Sequence, residues 1–168
     1  MPENGEGVRR DSWEGRLQSL ELALPEPPSP LGSYTTASQV GELLFLSGML
    51  PLAGGKLALQ GRIGAELSIA QGREAALIAL LNGLAVARKF AGSEQDIERV
   101  VRLGVAMATT ADFTQHPAIA DAASQVVDQI FSDAPRHVRL ITGVQSLSLG
   151  APLALELIFA IRATSRRG

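Results

Sequence analysis

Residues His137 to Ile161 read HVRLITGVQSLSLGAPLALELIFAI, and the reading of this stretch decides the fold. Its first part alternates: His137, Arg139, Ile141, Gly143 and Gln145 share one face, and Val138, Leu140, Thr142 and Val144 the other. That two-residue period is the signature of a β-strand. The stretch reads as two strands joined by a tight turn, with Arg139 directed away from the most apolar layer. It carries one arginine, Arg139, and one carboxylate, Glu156, on a mostly apolar background. An ion leaves water unfavourably unless it gains a partner, so each of these charges is either paired internally or offered to a ligand.

Working back from His137, the pattern predicts a loop over Thr109–Pro117 and then a helix to Phe131 with Ile119, Ala123, Val126, Val127 and Ile130 on its buried side. Asp121, Gln125, Asp128 and Gln129 are expected to face solvent. Ile97–Ala108 is rich in β-branched residues and apolar on both faces, as suits a strand in mid-sheet. A longer helix is predicted from a Ser68 cap to Phe90, with a stripe of Leu77, Leu80, Leu81 and Leu84 and a stop at Gly92. Gly72 and Gly83 inside it cost roughly 1 kcal/mol each relative to alanine; they mark either close packing on the sheet or simple tolerance. Tyr34–Val40 and Leu43–Leu46 read as strands about a Gly41-Glu42 turn, and Gly54-Gly55 turns into a short piece near Leu57–Leu59. Ser12–Leu22 reads as a short amphipathic helix, and the prolines of Pro25–Pro30 forbid its continuation. Residues 1–11 are expected to be a disordered leader, 12–162 one domain and 163–168 a tail.

Composition narrows the function. At 168 residues, 46% hydrophobic and 19% charged, the chain suits one domain with its own core. A net charge of −2 supplies no basic field for nucleic acid. With no cysteine and two histidines, disulfides and a thiolate nucleophile are excluded and a metal site is not expected. No apolar h-region or membrane-length run is present, so the expected location is cytoplasmic. The order of elements implies an α+β fold: a mixed, mostly antiparallel sheet with two long helices on one face. Because its strands are apolar on both sides, the other face needs a cover, and a second copy of the same sheet fits.

Four segments together, Leu24–Tyr34 (LPEPPSPLGSY), Leu44–Pro51 (LFLSGMLP), Asp112–Pro117 (DFTQHP) and Arg136–Phe159 (RHVRLITGVQSLSLGAPLALELIF), resemble the RidA family, also called YjgF or L-PSP. The likeness spans roughly residues 12–162 and is closest to the branch with an added N-terminal helix. It implies a chorismate-mutase-like domain, a homotrimer whose sheets build a central barrel, and ligand sites in clefts between subunits. It further implies hydrolysis of reactive 2-imino acids to 2-keto acids and ammonia with no cofactor. Under it, Arg139 matches the arginine that grips the substrate carboxylate, Tyr34 the tyrosine that lines the pocket, and Ser47 and Gly48 the serine-glycine pair of the SGQ-type motif, with Met49 in place of glutamine. Glu156 matches the second of two alternating glutamates on the last strand. Ala154 stands where the first, the water-positioning one, is expected, and Glu156 is roughly 7 Å further along the strand. Leu140 and Ile141 stand where a small hydroxyl residue and cysteine are common. The alternative is a binding protein that captures a small carboxylate in the same cleft without turning it over.

Overall fold

The computed structural model describes residues 10–92 and 97–162. The rest of the expected leader (1–9) and the tail (163–168) lie outside the described residues. The first helix, α1 (Trp13–Ser19), starts where Ser12 accepts a hydrogen bond from the Gly15 N–H, satisfying one of the donors that a helix start leaves open. After the proline link, β1 (Ala37–Val40) turns at Gly41-Glu42 into β2 (Leu43–Leu46), and a small hairpin follows from β3 (Leu52–Ala53) and β4 (Lys56–Leu57).

The two long helices are bounded by the residues that the sequence singles out. Helix α2 (Ile69–Ala91) begins in a capping box in which Ser68 and Gln71 satisfy each other's backbone N–H, and it ends at Gly92 in the left-handed conformation. It packs closely: a Cβ on Gly83 would run into Leu157, and one on Gly72 would lie 3.0 Å from Ile119 Cδ1. Gly83 packs closely on the sheet as expected, whereas Gly72 packs closely on Ile119 and Ile63, outside the sheet.

Strand β5 (Ile97–Ala108), helix α3 (His116–Ile130), β6 (Val138–Val144) and β7 (Leu153–Ile161) complete the domain. The five-stranded sheet runs β1-β2-β7-β5-β6, antiparallel throughout except for the parallel β5–β6 pair. A parallel neighbour requires a crossover, and α3 supplies it. The expected hairpin of β6 and β7 does not form: β5 lies between them, with Leu103 opposite Arg139 on one side and Leu157 on the other. The link from Gln145 to Pro152 crosses the end of β5 through a 3₁₀ turn at Ser148–Gly150, and Ala108 N–H donates to Pro152 O at 2.9 Å. A link that long matches no two-residue hairpin turn.

Both long helices cover one face of the sheet. There Leu44, Leu103, Met107, Leu155, Leu157 and Phe159 are fully buried against Ala76, Ala79, Leu80 and Leu84 of α2 and Ile119 and Ala123 of α3. The other face, carrying Leu43, Phe45, Glu156 and Leu140, is uncovered.

Candidate functional site

Register assigns each charge to a face. Arg139 sits beside Leu103, whose side chain is buried in the helix-side core, whereas Glu156 sits beside Gly104, whose other neighbour is Leu140 on the uncovered face. Arg139 and Glu156 therefore lie on opposite faces within one chain. The expectation that Arg139 points away from the apolar layer is corrected: it faces the helix layer. The reason is polar spacing on α3, since Asp121, Ser124, Gln125 and Asp128 follow one another at helical intervals along the edge that overhangs β6. Gln125 and Gln129 are exposed as expected, and Asp121 and Asp128 are partly covered; Asp121, Gln125 and Asp128 line an open groove of about 340 Å³ with Ser124, His137 and Arg139.

In this groove Arg139 Nη1 donates to Asp121 Oδ1 at 2.7 Å and to Ser124 Oγ at 2.9 Å. Ser124 Oγ is 3.0 Å from His137 Nε2, and His137 Nδ1 is 3.6 Å from Asp128 Oδ1. The His137 side chain is 6% exposed, whereas that of Arg139 is 26% exposed.

Burial disfavours the imidazolium and holds His137 below its ordinary 6.5; Asp128 opposes this, while Arg139 and Arg136 add to it. The folded chain thus binds fewer protons at His137 than the unfolded chain between those two values. Stability from this residue is complete above about pH 6.5 and declines as the pH falls toward the folded value. Denaturant midpoints measured on either side of that pH should drop in acid for the wild type, and the drop should be smaller in His137→Gln.

The uncovered face holds a second, smaller pocket of about 150 Å³ that brings together Gly48, Ala154 and Glu156 with Arg102, Leu140 and Thr142. Arg102 Nε lies 3.6 Å from Glu156 Oε1. Gly104 makes room for that carboxylate, since a Cβ there would lie 3.1 Å from Glu156 Oε2. Ser47 lies beside Gly48 and donates its hydroxyl to Thr36 O at 3.4 Å. Tyr34 is apart from both pockets in the loop before β1, its hydroxyl accepting from Leu31 N–H at 3.0 Å. Arg102 and Ser124 went unnoticed in the sequence. Arg102 had a signal, because Arg102, Gly104 and Ala106 alternate with Leu103, Val105 and Met107, a polar-small face against an apolar one.

The profile of the family described as "YjgF/chorismate_mutase-like, putative endoribonuclease" matches residues 14–161. A protein from Shewanella oneidensis MR-1 crystallised as a putative endoribonuclease is 32% identical, with a TM-score of 0.84 over 89% of this chain and 99% of that one. A protein of unknown function from Agrobacterium tumefaciens is 28% identical, with a TM-score of 0.81 over 89% of this chain and 92% of that one. Protein TCP17 of Trypanosoma cruzi is 29% identical over 143 residues, 84% of this chain and 89% of that protein.

Proposed function

We propose, from the premise that this chain belongs to the YjgF/chorismate mutase-like family, also known as RidA, that it binds a small carboxylate metabolite, a 2-keto or 2-imino acid, at Arg139. One observation carries the reading. Among the described residues both hydrogen bonds of Arg139 run from Nη1, to Asp121 and Ser124, which orients the guanidinium and leaves its Nε–Nη2 edge for a carboxylate. A planar fork fixed in advance loses little freedom on binding and suits a two-pronged acceptor.

The ligand cleft in this reading is completed by a neighbouring copy, in a homotrimer whose uncovered sheet faces close into a central barrel. Such an arrangement accounts for the division of the expected site residues between two half-sites in one chain. Binding is favoured over imine hydrolysis because Ala154 offers no carboxylate and Glu156 is engaged by Arg102. The word endoribonuclease in the family's description gains no support from a net charge of −2. No helix among the described residues is long and apolar enough to cross a membrane, and a cytoplasmic location suits the proposed ligand.

The test is to generate 2-iminobutanoate with a dehydratase and follow 2-keto acid release. Wild-type protein should not accelerate release, whereas Ala154→Glu, which supplies a carboxylate beside the pocket, should do so. Catalytic acceleration by the wild type below stoichiometric amounts would replace the binding reading with the deaminase one.

A further inference from the structure

The groove beside Arg139 contains more than a carboxylate clamp needs. We propose that Ser124, His137 and Asp128 form a nucleophile, base and orienting acid, and that the groove hydrolyses carboxylic esters. The juxtaposition of the three side chains carries the argument. A guanidinium only donates, so at 2.9 Å from Arg139 Nη1 the Ser124 oxygen is the acceptor. With the imidazole proton on Nδ1, the Ser124 hydroxyl donates to His137 Nε2, 3.0 Å away. In that tautomer Nδ1–H faces Asp128 Oδ1 at 3.6 Å. Nδ1 and Oδ1 are both buried, and among the described residues neither has a hydrogen-bond partner. Bonds between base and orienting acid are often long before substrate binds and tighten afterwards. The depressed His137 basicity keeps the ring neutral and able to take a proton.

Ser124 Oγ bonds to the acyl carbon as its proton moves to His137 Nε2. The NH of Arg139 that Oγ had accepted turns to the new oxyanion. The C–O bond to the leaving alcohol breaks, and that oxygen takes the proton from Nε2. Water, deprotonated by the same nitrogen, then attacks the acyl-serine, releasing the acid and returning the proton to Ser124.

The proposal shares the groove with carboxylate binding but does not depend on it. The full-length chain is incubated with a small fluorophosphonate, and the adduct is located by intact and peptide mass. A single adduct on Ser124 is expected, absent in Ser124→Ala and formed about 100-fold more slowly or worse in His137→Gln, with p-nitrophenyl acetate turned over in parallel. No adduct on Ser124, or one formed equally fast in His137→Gln, overturns the proposal. Should circular dichroism show His137→Gln unfolded, the pH profile of wild-type labelling decides. Labelling must fall in acid as His137, faced by Asp128 and Ser124 from α3 and flanked by Arg136 and Arg139, takes a proton; a flat profile overturns the proposal. Binding of 2-ketobutyrate without labelling removes this inference alone, and labelling without such binding removes the carboxylate reading alone.

Discussion

Leu140→Glu and Phe45→Glu are each expected to convert the proposed trimer into folded monomers. Both side chains stand on the sheet face that no helix covers, Leu140 51% and Phe45 39% exposed, together with Leu43 and Val138. Across that face the register aligns Phe45 with Ile158, Arg102 and Val138 in one row and Glu156 with Gly104 and Leu140 in the next. An apolar surface of this kind on a soluble monomer marks an interface. The Arg102–Glu156 pair at its centre can be enclosed because each charge already has its partner. A new carboxylate at position 140 or 45 has none, and enclosing it costs several kcal/mol, where each 1.4 kcal/mol is about tenfold in association. The core on the other face is untouched, so the thermal midpoint of the monomer should show little loss from the substitution itself. Size-exclusion chromatography with light scattering reads the outcome. A wild type at the mass of one chain, or variants that remain associated, would contradict the proposed assembly.

The parts of this fold that were legible in the sequence are those set by local chemistry. Ser68 and Gly92 delimit α2 because a capping hydroxyl and a left-handed glycine act within one turn of the chain. The alternation in β6 and the length of β5 were legible for the same reason. Strand order was not. Arg139 and Glu156 are close in sequence and look paired, yet each flanks β5 from its own side, and a period of two assigns side chains to two faces without saying which face a helix covers. The groove was hidden in the same way. Ser124 lies on α3 and His137 in the loop that leads into β6, and neither spacing nor residue type announces that Ser124 Oγ and His137 Nε2 lie 3.0 Å apart. Asp121 and Asp128 read as ordinary solvent positions until β6 is placed beneath them.

Arg139→Ala is expected to weaken binding of 2-ketobutyrate by about 10- to 100-fold, the loss of charge-assisted hydrogen bonds worth ~1.5–3 kcal/mol. The substitution also frees Asp121 and Ser124, so the carboxylate would meet an acid in place of a guanidinium, which adds to the loss. The central claim, that Arg139 anchors a ligand carboxylate, is tested most directly by calorimetric titration of 2-ketobutyrate into the wild type and Arg139→Ala at equal protein concentration and matched oligomeric state. Saturable binding to the wild type that is lost or strongly weakened in the variant is the predicted result. No binding to the wild type, or equal Kd values for the two proteins, would contradict it.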